Sequence, residues 1–182
     1  MSTRGLIGFR KGGVDKLTYN HSDSYLSFLG KDVVGVCRDA TLDELNSAFD
    51  RILMVDENDS PTFDQYEEMG CLNDAGSDNT WYDVLRDTQG RLEAYTKDCL
   101  RYMFDSASFI NESLHCEWAY IVNLDTGMLE VWKGRQKTPR KGNRYGRKQR
   151  NGYYPCAMIA EFPLEDIPED WMDHLEAPKE DL

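Results

Sequence analysis

Arg4-Gly5-Leu6-Ile7-Gly8-Phe9-Arg10-Lys11-Gly12-Gly13-Val14-Asp15-Lys16-Leu17-Thr18-Tyr19 is the stretch that decides the fold. Two apolar runs, Leu6 to Phe9 and Leu17 to Tyr19, bracket a Gly12-Gly13 pair. Glycine enters positive φ without a Cβ penalty, so this pattern predicts a β-hairpin. The chain therefore opens on a sheet.

Further along, Trp118-Ala119-Tyr120-Ile121-Val122-Asn123-Leu124 is aromatic and β-branched. Asp125-Thr126-Gly127 offers a tight turn, and Met128-Leu129-Glu130-Val131-Trp132 returns. This predicts a second hairpin. Residues 156–162 read as a last strand, and residues 164–175 as a short acidic helix. Between the hairpins, Thr41-Leu42-Asp43-Glu44 is a capping box, and apolar residues at helical spacing predict a helix to about Val55. Residues 62–69 read as a short helix, residues 73–79 as a loop, Thr80 as another helix start, and Leu92 to Met103 as a helical face. Ser22-Asp23 is placed to cap a short helix through Leu29. The order predicts an α+β class with a mainly antiparallel sheet, an N-terminal β-hairpin, a helical middle segment over about 40–105 and a C-terminal β-hairpin.

The length of 182 residues fits one α+β domain over 1–182, with a basic loop over 133–152 and an acidic helix and tail over 163–182. No run approaches the roughly 18 apolar residues of a membrane span. The N-terminus lacks an apolar signal core, so a cytoplasmic location is expected, the host cytoplasm if a phage encodes the chain. Five dispersed cysteines form no CxxC pair, and three histidines lack ligand spacing. Neither a disulfide framework nor a metal site is expected, and no cofactor.

The net charge is −12, which is unfavourable for nonspecific nucleic-acid binding. The charge is uneven: nine of the 21 basic residues fall between Lys133 and Arg150, a segment without an acid. Aromatic and polar residues are interleaved with them, so the loop suits a nucleotide or a single strand. Trp132, Arg135, Arg144 and Tyr145 are its candidate ligand-binding residues. The plainer reading is a solvated loop that neutralises the protein's own acidic surface.

The first thirty residues carry the other candidates. Ser2 follows the initiator Met, and loss of Met1 would leave Ser2 with a free α-amino group. With a pKa of about 8, that amine can serve as the nucleophile's own base. Arg4 offers a planar fork for a substrate carboxylate or phosphate. Tyr19, His21, Asp23 and Tyr25 alternate, so a continued strand would put them on one face. His21 would then be a general base oriented by Asp23, with Tyr19 and Tyr25 beside the ligand. The plainer reading makes Asp23 a helix cap and His21 a half-buried residue bonded to backbone.

Ser2, Thr3, Arg4, Gly8, Tyr19, His21, Asp23, Tyr25 and Gly30 also carry a resemblance. The opening segment resembles a family of small bacteriophage and bacterial proteins that begin Met-Ser-Thr-Arg and bear a His-x-Asp-x-Tyr motif. That family often has Trp between His and Asp and Gly between Asp and Tyr, where this chain has Ser22 and Ser24. The resemblance covers roughly a third of the chain and implies a phage or prophage setting. The strand-leading Ser2 also resembles the N-terminal nucleophile hydrolases. Two functions are therefore expected as alternatives. One is a phage-type accessory hydrolase that cleaves an amide or related bond of a small anionic substrate. The other is a non-enzymatic protein that captures a nucleotide-like ligand or inhibits a host protein.

Overall fold

The structure is a computed structural model and describes residues 2–70 and 78–176. Strands β1 (Arg4–Lys11) and β2 (Val14–Asn20) form the predicted hairpin. Lys11 faces Val14 across Gly12 and Gly13, whose φ angles of 59° and 74° are those of a two-residue turn. Strands β5 (Cys116–Asn123) and β6 (Met128–Lys133) form the second hairpin, and β7 (Ala157–Pro163) adds to β6. The sheet order is β2-β1-β5-β6-β7. All pairings in this sheet are antiparallel except β1 with β5. A parallel pair needs a long crossover, and the helical middle of the chain supplies it.

The two hairpin tips are tied together. The Asp125 carboxylate accepts from the amides of Gly12 and Gly13 at 2.7 and 3.1 Å. These amides hold its carboxyl below the usual aspartate range.

The middle segment contains α1 (Lys31–Asp39), α2 (Leu42–Arg51), α3 (Phe63–Glu68), α4 (Trp81–Leu85) and α5 (Leu92–Thr96). Thr41 and Glu44 form the expected capping box of α2, and Thr62 with Gln65 forms one for α3. Four expectations need correction. The α2 helix stops at Arg51, and Leu53–Val55 is a strand, β3, parallel to β4 (Tyr102–Phe104). The Leu92–Met103 face is accordingly split between a one-turn helix and that strand. Asp23 does not cap a helix: a π-helical turn covers Leu26–Gly30 behind Tyr25, and α1 follows directly. The acidic C-terminal helix shrinks to α6 (Asp173–Glu176). The loop expected over 73–79 lies mostly outside the described residues, as does the tail beyond 176.

Strand alternation gives the sheet two buried faces. Ile7, Phe9, Tyr120, Val122, Leu129 and Val131 meet α1, α2 and α5 on the first. Lys16 ties the hairpin to this layer by donating to the carbonyls of Phe49 and Ile52 at 2.8 and 2.7 Å, at the end of α2. Leu6, Leu17, Ala119, Ile121 and Trp132 lie on the second, with Ile110 and Cys156. Among the described residues, no helical layer covers this face. A 3-10 turn at Ala107–Asn111 and the segment after β6 cover it. A third cluster, Trp81, Leu85, Tyr102 and Phe104, sits around the small sheet. Among the described residues, no helix is long and apolar enough to cross a membrane.

Candidate functional site

The second face brings the candidate residues into two groups. The first lies where the basic loop crosses the sheet. Glu130 and Trp132 point to the same side of β6, and Glu130 is 2% exposed. A carboxylate so buried requires partners. Arg144 donates to it through both terminal nitrogens, at 2.8 and 2.6 Å. Asn123 adds a bond of 2.7 Å and the Trp132 indole one of 2.9 Å. Burial alone would raise the Glu130 pKa, but the bonds from Arg144, Asn123 and Trp132 outweigh it and hold the carboxyl below the usual range. Arg144 shifts the opposite way, its charge kept against burial by Glu130.

The group continues outward. The Arg144 guanidinium lies 4.6 Å from the Trp132 ring centre, and the Tyr145 ring meets Trp132 edge-on at 5.0 Å. Tyr145 donates its hydroxyl to Asp15 at 2.9 Å, and Arg10 pairs with Asp15 at 2.7 Å. Burial first, and then Asp15, raise the Tyr145 pKa. Asn143 pins the same turn by donating to the Cys156 carbonyl at 2.8 Å. Arg135 adopts a φ of 58° and pairs with Glu117 at 3.0 Å. Trp132, Arg144 and Tyr145 are thus engaged with the protein itself. The chemistry of this group is to hold the loop down.

The second group lies at the start of β1. Arg4 shares the second face with Leu6, and Tyr19 stands opposite Leu6 on β2. An Arg4 terminal nitrogen is 2.8 Å from His115 Nδ1, and the Tyr19 hydroxyl is 3.3 Å from His21 Nδ1. Burial raises the Tyr19 pKa, and Arg4 partly offsets this. The Ser2 hydroxyl donates to the His21 carbonyl. Asp23, however, adopts a φ of 55°, which ends the strand alternation. Its carboxylate accepts from the Tyr25 hydroxyl at 2.9 Å, while the His21 ring turns to Tyr19. The His21–Asp23 dyad is not assembled. Ser2 is likewise directed at a carbonyl, and Met1 lies outside the described residues.

Tyr19 also borders a cleft of about 320 Å³. Tyr82 and Phe109 complete its aromatic wall, and the Tyr19 and Phe109 rings meet edge-on at 5.3 Å. Ser106 and Ser108 supply hydroxyls, and Glu57, Asp105 and Glu112 supply carboxylates. Glu112 pairs with Arg150 at 3.1 Å, and Asp105 caps the Ala107 amide at 2.9 Å. Glu57 is exposed. An aromatic slot edged by acids suits a small ligand with a planar part and a positive charge. It suits the expected anionic ligand poorly.

His115, Tyr82 and the three acids escaped the sequence reading. They come from four separated segments, and only the fold brings them to Tyr19. The spacing of Glu112, His115 and Glu117 within six residues is the one local signal that could have pointed there. Among the described residues, no group of three His, Cys, Asp or Glu side chains is arranged to hold a metal. Comparison with protein-family models, with curated proteins and with solved structures yields no match.

Proposed function

We propose that this protein is a binding protein that captures a small organic cation with a planar part in the cleft beside Tyr19. The observation that carries this reading is the pairing of an aromatic wall, Tyr19, Tyr82 and Phe109, with the carboxylates of Glu57, Asp105 and Glu112 around one 320 Å³ space. Arg4 and His21 hold the Tyr19 phenol from behind, so the wall is set before a ligand arrives. The resemblance of the opening segment would place this activity in a bacteriophage or bacterial setting. Thermal-shift measurements test the reading with tyramine and agmatine against adenosine monophosphate. A ligand that binds only the folded chain stabilises it by about 2.7 kcal/mol at 100 times its Kd. An amine should raise Tm and the nucleotide should not. Glu57→Gln should reduce the shift without lowering the unliganded Tm, because Glu57 is exposed. A shift from the anion alone would overturn the reading.

A hydrolase remains a second reading, favoured by the place of Ser2 at the head of β1 beside His21. Its nucleophile would need the α-amino group that loss of Met1 frees. Attack would also require the Ser2 hydroxyl to leave the His21 carbonyl. Mass spectrometry of the intact protein tests it: a retained Met1 in active protein removes the mechanism.

A further inference from the structure

The basic residues from Lys133 to Arg150 divide sharply by what they touch. Arg135, Arg144 and Arg150 pair with Glu117, Glu130 and Glu112. Lys133 lies 3.5 Å from the Trp118 ring centre and is half-buried. The remaining five, Lys137, Arg140, Lys141, Arg147 and Lys148, are exposed and form no ion pair among the described residues. A solvated loop that served only to neutralise the acidic body would have turned these charges inward. The loop instead has a fixed inner side and a charged outer side.

Its fixation is extensive. Gln136 bridges Tyr154, and Arg150 bridges Tyr153. The Ser113 hydroxyl donates to the Tyr154 carbonyl. Asn143 and Arg144 anchor the tip to Cys156 and Glu130. Gly134, where the chain leaves β6, passes so close to β5 that an added Cβ would sit 1.9 Å from the Cys116 carbonyl oxygen. The five exposed cations therefore sit on a short pinned protrusion. A partner need not order them from a flexible coil, which lowers the entropy lost on binding.

We infer that this protrusion is a docking face for single-stranded nucleic acid. Two observations favour a strand. The five cations occur without any acid between Lys133 and Arg150, as a phosphate chain requires. Tyr153 and Tyr154 stand half-exposed at the stem, and the Lys137 ammonium lies 3.5 Å from the Tyr153 ring centre, so a stacking surface adjoins the charges. An acidic protein segment would use the charges but would have no need of the rings. The net charge of −12 opposes binding at long range. At physiological salt, however, charges beyond about 8 Å are largely screened, so the local patch governs the contact. The inference is independent of the cleft beside Tyr19.

Fluorescence anisotropy tests it, with a labelled oligothymidylate of about 20 nucleotides, longer than a typical footprint of roughly 4–16. Five phosphate contacts at about −0.7 each give a log–log salt slope near −3.5, or a loss of about 100-fold in affinity from roughly 50 to 200 mM salt. Joint replacement of Lys137, Arg140, Lys141, Arg147 and Lys148 by Gln should abolish binding with Tm nearly unchanged, since these exposed side chains form no ion pair among the described residues and only Lys137 rests on a ring, that of Tyr153. Tyr153→Ala should weaken binding about tenfold, at the lower end of the range for one stacked base. Absence of binding at low salt overturns the inference. So does binding that survives the five replacements, or poly-glutamate competing as well as the oligonucleotide.

Discussion

Two clusters on one face of the same sheet use the same kinds of residue for opposite ends. Around Glu130, an Arg and a Trp donate to a buried acid, while a Tyr accepts from that Arg and donates to Asp15. Around Tyr19, an Arg, two His and aromatic rings gather loosely beside an open cleft. Residue type does not separate the two; burial and completeness do. Where each donor has an acceptor around a buried acid, the cluster is a fastener. Where a phenol is positioned and its neighbours face solvent, room is left for a ligand.

The sharpest way to break this comparison is Glu130→Ala. It strands the Arg144 guanidinium, whose side chain is 24% exposed against 3% for Glu130. Removing one partner of a buried pair costs about 3–5 kcal/mol, and the remaining water contact of Arg144 places this case near 3. For a chain of this length, that lowers Tm by about 6–12 °C. Calorimetry checks it. A loss below 1 kcal/mol would make the Glu130 cluster as dispensable as a surface pair and leave the comparison without content.

Acid titration sharpens the same contrast. Glu130 is held below the ordinary glutamate range in the folded chain, whereas unfolded it titrates near about 4.3. A group with a depressed folded pKa contributes its stability above the unfolded value and loses it as pH falls through the folded one. The stability advantage of the wild type over Glu130→Gln should therefore be full at neutral pH and shrink below about 4.3. Comparison with the variant cancels the other carboxylates that hydrogen bonds also depress, such as Asp125 and Glu68. Denaturant melts across pH 3–6 measure it, and an advantage independent of pH over that range would refute the assignment.

Much of the frame was legible locally. The Gly12-Gly13 turn, the Asp125–Gly127 turn, the capping box at Thr41 and the helix starts at Thr62 and Thr80 are decided by a few adjacent residues, and each occurs where the pattern places it. What failed depends on distant partners. Leu53–Val55 continues an apolar helical pattern, yet β4 draws it into a strand. The parallel pairing of β1 with β5 has no local signature, since it joins two hairpins across the whole helical segment. The candidate site divides the same way. Tyr19 and His21 do meet, as alternation requires, because β2 runs to Asn20. The positive φ at Asp23 then turns its carboxylate to Tyr25. Trp132, Arg144 and Tyr145, proposed from sequence as ligand-binding residues, do lie together, but around the buried Glu130, which no local pattern marked.

The smallest expected effect tests the open half of the comparison. Arg4→Ala removes the contact with His115 and the charge behind Tyr19, in a setting that water reaches. A typical hydrogen bond contributes about 0.5–1.5 kcal/mol, so Tm should fall by only a few degrees. Ligand affinity in the cleft should fall as well, because Tyr19 loses the partner that positions it. A cycle combining Arg4→Ala with His115→Ala measures the pair directly. Coupling below about 1 kcal/mol is expected, against several for Glu130 with Arg144. A coupling as large as that of the buried pair would mean that the Arg4 cluster, too, is a fastener. The case for a ligand beside Tyr19 would then lose its physical basis, because a cluster so tightly self-satisfied has no reason to be left open.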